Sequence, residues 1–440
     1  MGASDSTSAS GPLSDRDPVV EPSKPRLLKM LGPGLVTGAS DDDPSGIATY
    51  SQAGAQFGYG VSWSLVLTYP LMVAVQMISA RVGRTTGHGI AGNIARSYPR
   101  WVAYAITVPL LVANVVNVAA NLGAMGDALK LLVGGWQLLY VVLFGLICIA
   151  MQVLLAYKRY VAVLKWLALA LLAYVATLFV AKVDWLAMAK GLVIPHPSLD
   201  PSYLSIVVAI FGTTISPYLF FWQASQEAED LKEKPRREPL VERPSQADRA
   251  EERIALDTMV GMAISNLIAL AIMTTTAATL HVAGTTDIES SVDAAKALEP
   301  VAGSAATLIF AVGIIGTGIL AVPVLAGSAA YAVAEAARWP VGLSRKPREA
   351  KAFYATVTIA TAIGIGLNFT PIEPIKALVW SAVINGVVAV PVMAILMLLA
   401  SDPKIMKEFV IGAGLKILGW LATIVMAAAV VGMAVTSFLG

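Results

Sequence analysis

Along the 440 residues, apolar windows of about 20 residues recur at near-regular intervals between short polar stretches, the length a helix needs to cross a hydrocarbon core. Eleven such windows can be drawn: 31–58, 61–78, 101–121, 136–156, 161–180, 204–228, 259–280, 302–334, 352–367, 375–400 and 413–438. The eighth is long and carries Gly313, Gly316 and Gly318, but Pro323 lies within one continuous apolar run, so it is kept as a single span. The pattern predicts an all-α polytopic membrane protein rather than two or three soluble domains.

Two of these windows are interrupted by polar residues. The first contains Asp41-Asp42-Asp43-Pro44-Ser45-Gly46, and a charged side chain at the bilayer centre costs at least about 2.5 kcal/mol. Pro44 removes a backbone donor, and Gly32, Gly34, Gly38 and Gly46 loosen the chain, so the first span reads as two half-helices. Unwound backbone at that depth is tolerated only inside protein or against water, where freed carbonyls and helix ends serve as ion ligands. The sixth span breaks likewise at Gly212-Thr213-Thr214-Ile215-Ser216-Pro217-Tyr218. One Pro break alone reads as a packing kink. Breaks at corresponding positions of two halves instead predict inverted repeats of five helices, over 29–182 and 200–400, with a site where the breaks meet. Asp43 is then the expected centre of a cation site. Asp41 and Asp42 sit on other faces and are left to bind water, line the approach or pair with neighbouring spans.

Composition agrees with the bilayer as solvent, since hydrophobic residues make up 57%, charged residues 14%, and mean hydropathy is +0.71. A formal charge of +2 gives no reason to expect nucleic acid. The distribution of basic residues is more informative. Arg81, Arg84, Arg96, Arg100, Lys158 and Arg159 fall in one set of alternate loops with the charged loop 230–253 and with 338–351. That predicts a cytoplasmic N-terminus and an outside C-terminus, and the expected location is a plasma (inner) membrane. Residues 1–28 form an expected disordered cytoplasmic tail without the apolar core of a signal peptide, and 410–440 form a peripheral eleventh helix. The single Cys148 excludes an intrachain disulfide and reads as packing.

At the two breaks the sequence resembles the NRAMP family of divalent metal transporters, whose first helix carries Asp-Pro-Gly-Asn and whose sixth carries Met-Pro-His. The resemblance extends over nearly all eleven spans and implies a LeuT-type fold, alternating access, and no enzymatic activity. It also implies metal held by the Asp, the Asn, the Met sulfur and a helix-six carbonyl. Here the Asp is Asp43, Ser45-Gly46 replaces Gly-Asn, Ser216 stands at the Met, Tyr218 at the His, and the carbonyl falls on Thr213. A thioether favours softer transition metals, whereas oxygen donors suit hard ions such as Mg²⁺. Gly46 is expected to leave room for water, which Mg²⁺ retains. The departures resemble an NRAMP-related magnesium branch, and the expected substrate is partly hydrated Mg²⁺, with proton-coupled transport of Mn²⁺ or Fe²⁺ as the alternative.

Further candidate contacts are Thr214, Gln223, Glu227 and Asn385, while Asn114, Asn117 and Asn121 share one face of span three. Phe220, Phe221 and Trp222 read as wall. Span three has no acid in its predicted membrane core and the three histidines fall near or outside span ends, which argues against an obligatory proton relay. An organic-anion carrier is disfavoured by three aspartates, and an intramembrane aspartyl enzyme by the lack of a second Asp at Ser216. The expected partners are the divalent cation and the lipid bilayer, with no cofactor, nucleic acid or obligate protein partner.

Overall fold

The computed structural model describes residues 37–38, 40–154, 172–233 and 237–439. The expected tail, the approach glycines Gly32 and Gly34, and most of the fifth window lie outside them. The described chain is helical, with no strand among the described residues. Its main helices are α1 (Pro44–Phe57), α2 (Trp63–Thr86), α3 (Ile90–Ser97), α4 (Arg100–Val133), α5 (Gln137–Leu154), α6 (Leu172–Val180) and α7 (Trp185–Val193). After these come α8 (Pro201–Thr214), α9 (Pro217–Glu233), α10 (Ala247–Thr276), α11 (Ala306–Ala336), α12 (Lys351–Leu367), α13 (Pro374–Ser401) and α14 (Ala413–Leu439). Short helical turns join several of them.

Both predicted breaks are present, and the same local chemistry makes them. Each second half begins with proline, Pro44 in α1 and Pro217 in α9, where the missing N–H costs nothing and the fixed φ suits a first turn. Before each proline stands a residue type that caps helices well, Asp43 and Ser216. The eighth window forms one unbroken helix, α11, with Pro323 inside it.

Packing between the halves is reciprocal, as an inverted repeat requires. The second half of the first broken helix, α1, lies along α10, and its counterpart α9 lies along α2. The long helices α4 and α11 cross each other as the corresponding third members of the two repeats. Trp101, Trp136 and Trp185, near the starts of α4, α5 and α7, remain exposed, as interfacial tryptophans do.

Three features depart from the sequence pattern. The second span continues to Thr86 and the third to Val133, because their polar residues, Gln76, Ser79 and Arg84 among them, are buried against neighbouring helices. The extension brings the half-buried Asp127 into α4. The short amphipathic helix α3 buries Ile90, Ala91 and Ile94 against the bundle although it is too short to register as a span. The loop expected over 230–253 is also shorter, since α9 runs to Glu233 and α10 starts at Ala247. Its charges do not form a purely solvated face: Arg84 donates to the Glu238 carbonyl at 2.6 Å and to Gln246 Oε1 at 2.7 Å, and Leu240 is buried.

Glycine sets the closest crossing behind the site. A Cβ on Gly212 would overlap the Ala382 carbonyl and lie 2.5 Å from Gly386 N, so α8 and α13 meet backbone to backbone. Gly212→Ala is expected to lower the thermal midpoint of the purified protein, by the equivalent of about 1–3 kcal/mol for a forced overpacking. Gly366→Ala, where a Cβ meets nothing within 4 Å, serves as the neutral control. Equal midpoints for the two variants would contradict the close crossing.

Candidate metal centre

Asp43 is the N-cap of α1, and its carboxylate is almost fully enclosed. Oδ1 accepts from Ser45 Oγ at 2.7 Å and from Gly46 N at 2.8 Å, the second being the capping bond that satisfies a free amide of the first turn. Oδ2 accepts from Asn121 Nδ2 of α4 at 3.1 Å. Asn121 in turn donates to Asn117, whose Oδ1 accepts from Ser381 Oγ of α13 at 3.3 Å. Asn114, one turn further, donates instead to the Leu325 carbonyl of α11. The asparagine stripe read from sequence therefore contributes at one position directly, Asn121, and at one indirectly, Asn117.

The three aspartates diverge. Asp41 and Asp42 turn to α10, where Ser265 Oγ lies 2.5 Å from Asp41 Oδ2 and 3.2 Å from Asp42 Oδ1. Ser265 was not among the sequence candidates. The signal was present as Thr258, Gly261 and Ser265 at helical spacing, a small and polar stripe on an otherwise apolar span. Gly261 lies on that stripe where a Cβ on Gly38 would run into its backbone, so the approach to the first break is pressed against α10.

The second break closes around the first. Tyr218 OH donates to the Ser40 carbonyl at 2.9 Å, joining the two broken helices directly. The Cβ direction of Gly46 faces Thr213 Oγ1 at 3.3 Å and the Asp41 carbonyl at 3.1 Å. This corrects the expectation of open space at Gly46: its neighbours crowd the position where a side chain would start. Ser216 Oγ donates to the carbonyls of Gly212 and Thr213, both at 2.7 Å, so its proton satisfies freed carbonyls of α8 while no donor engages its oxygen among the described residues. Thr214 Oγ1 returns to the Ile210 carbonyl at 2.8 Å, a bond within its own helix.

The structure thus brings together Asp43, Ser45, Gly46 and Thr213, and sets Ser216 at the facing break. It does not bond the remaining candidates to them. Gln223 donates to Thr258 at 3.1 Å, Glu227 pairs with Arg253 at 2.5 Å, and Asn385 is buried with both side-chain polar atoms unpartnered among the described residues. The partner of Glu227, Arg253, belongs to the charged loop expected over 230–253 but lies on α10, where it neutralises the carboxylate. A buried asparagine without partners is costly in a membrane bundle, and its place on α13 beside the Gly212–Gly386 crossing keeps Asn385 a candidate for ligand water.

A profile described as natural resistance-associated macrophage protein-like, Nramp, matches residues 34–436. The chain is similar to the divalent metal cation transporter MntH of Yersinia enterocolitica, 28% identical over 301 residues, covering 66% of this chain and 69% of that protein. It is equally similar to MntH of Pectobacterium carotovorum, 28% identical over 301 residues, covering 66% and 68%. Among solved structures it resembles the manganese transporter of Eremococcus coleocola in complex with an aromatic bis-isothiourea substituted compound. That match has a TM-score of 0.72 and 18% identity over 97% of this chain and 92% of that one. MhsT in complex with L-phenylalanine gives a TM-score of 0.56 and 13% identity over 92% and 98%. The structural likenesses show a shared LeuT-type fold.

Two substitutions separate charge from folding at the break. Asp43→Asn keeps a good capping residue, so the midpoint without metal is expected to stay near wild type while stabilisation by added Mn²⁺ or Mg²⁺ disappears. An undiminished metal-induced shift would remove Asp43 from the site. Ser265→Ala leaves Asp41 and Asp42 without their shared donor and is expected to destabilise the protein by about 1.5–3 kcal/mol, read as a lower midpoint. An unchanged midpoint would show that the two carboxylates do not depend on Ser265.

Proposed function

The chain belongs to the Nramp family and is a multi-pass transporter of divalent metal cations rather than an enzyme, and from that premise we propose that it carries Mn²⁺, held at the Asp43 break, by alternating access. The observation that carries the site is the enclosed Asp43 carboxylate at a paired helix break, where a dication balances charge that lipid cannot. The likeness to a solved manganese transporter supports Mn²⁺ over the Mg²⁺ expected from sequence, while the divalent metal cation names of the curated relatives fit either ion. One contact in the structure points the same way. The Met125 thioether, one turn beyond Asn121, faces the Cβ direction of Gly318, which also faces Pro44 at 3.4 Å. A soft donor is absent from the Ser216 position but present near the break on α4.

Mg²⁺ remains as a second reading because the groups gathered at the break are oxygens: the Asp43 carboxylate, the Ser45 and Ser216 hydroxyls and the Thr213 group. Such donors accept Mg²⁺ and Mn²⁺ alike. Inward transport in a plasma membrane with a cytoplasmic N-terminus needs no proton gradient. About 2.3 kcal/mol per charge per 100 mV gives a dication about 4.6 kcal/mol, some three decades of accumulation.

Reconstituted liposomes with interior Mn²⁺ and Mg²⁺ indicators test these readings together. Voltage-driven Mn²⁺ uptake that persists without a pH gradient is the expected result. Competition by excess Mg²⁺ would favour the all-oxygen reading, and indifference to it, with loss of Mn²⁺ uptake in Met125→Leu, the thioether reading. Absence of uptake of either ion would overturn the site, and stoichiometric proton flux would overturn voltage as the sole drive.

A further inference from the structure

A cavity of about 160 Å³ lies away from the metal site, between the C-terminal ends of α9 and α11 and the short helix α3. It opens on the face that gathers the arginine-rich loops. Its charged walls are Arg96, Lys232, Arg338, Arg345, Glu229 and Glu335, with His88 beside them. Which sign the cavity presents depends on which of these charges are already engaged.

The carboxylates are engaged. Glu335 accepts from Gly92 N at 3.0 Å and from Ser225 Oγ at 3.0 Å, one bond on each oxygen. Glu229 accepts from Tyr331 OH, from Leu343 N at 3.2 Å and from Ser344 N. Both acids therefore pin the 342–344 turn and α3 to the helix ends. The cations are not neutralised in this way. Arg96 donates to the Gly92 carbonyl at 3.0 Å and Arg338 to the Ala95 carbonyl at 2.5 Å, both uncharged acceptors. Among the described residues none of the four basic groups forms an ion pair, and all four side chains are exposed. Burial, together with the Arg96 and Lys232 charges, lowers the His88 pKa to about 4, so its imidazole is neutral at physiological pH. Among the described residues, four cations against two acids leave the cavity positive.

The backbone adds an independent observation. Arg338 has φ of +58° just after α11, and Trp339 N closes a bond of 2.7 Å to the Ala334 carbonyl behind it. Helices of this kind end most readily on glycine, so an arginine here carries backbone strain to place a guanidinium at the cavity mouth. Trp339 beside it is exposed, as a residue at headgroup depth is.

We propose that this cavity binds a phosphate group, gripped by Arg338, Arg345, Arg96 and Lys232. Planar guanidinium donors match phosphate oxygens, and basic pockets between membrane helices on the cytoplasmic side suit anionic headgroups. An anionic lipid of the same leaflet and a free phosphate supply the same chemistry. Because α9 is the second half of the sixth-span break, a ligand across Lys232 and Arg338 links the far end of a broken helix to α11. The site stands whichever cation is carried.

Binding of short-chain phosphatidylglycerol, short-chain phosphatidylcholine and inorganic pyrophosphate to the full-length protein in neutral detergent tests it. Phosphatidylglycerol is expected to bind well above phosphatidylcholine, and Arg338→Gly and Arg345→Gln each to weaken it about fivefold. Arg338→Gly should melt no lower than wild type, since glycine relieves the strained φ, so lost binding will not report misfolding. Weaker pyrophosphate binding assigns the site to lipid, and equal or tighter binding assigns it to a free phosphate compound; both support the proposal. Equal binding of the two lipids without pyrophosphate binding, undiminished affinity in both variants, or no anion binding would overturn it.

Discussion

A carboxylate buried at the point where a membrane helix has been broken is the constraint on which the rest of this structure depends. The break frees backbone amides and carbonyls that lipid cannot satisfy, and Asp43 answers part of that demand by capping α1. Capping uses one oxygen. The other reaches Asn121, so the same side chain organises the start of its own helix and ties it to α4. The negative charge left over suits a cation, and the capping bond itself is one that a neutral amide oxygen can also accept.

The neighbouring bonds show how the two broken helices are held against each other and against the rest of the bundle. Tyr218 joins α9 to the segment before α1, Ser265 ties Asp41 and Asp42 to α10, and Ser216 closes the carbonyl end of α8. The tight α8–α13 crossing at Gly212 makes that side a rigid wall. Alternating access in a fold of this kind rocks one group of helices against another around a fixed site. The Tyr218 and Ser265 hydroxyl bonds are side-chain contacts between helices, whereas the glycine crossings are backbone to backbone. The former are the ones a moving bundle can exchange.

Much of this was legible in the sequence because the bilayer leaves a broken helix few explanations. The paired interruptions, the half-repeats and the place of Asp43 follow from Asp-Asp-Asp-Pro and Thr-Ile-Ser-Pro inside apolar windows. What was not legible depended on which residues meet across helices. Arg253 read as loop charge but lies on α10 opposite Glu227, and α3 is too short for a span window yet buries a full apolar face. Ser265 lies on the small and polar stripe of α10 with Thr258 and Gly261, but only the fold shows that Asp41 and Asp42 are what that stripe meets. Gly46 suggested space by its composition, but Thr213 and the Asp41 carbonyl crowd it, a matter of backbone trajectory that residue type does not encode.

Anomalous diffraction at the manganese edge from crystals grown with Mn²⁺ would locate the ion within the bundle. One strong peak is expected between the Asp43 carboxylate and the Ser216–Pro217 break, at coordination distance from Asp43 or one water removed from it. A peak elsewhere in the bundle, with none at this position, would contradict a site at Asp43.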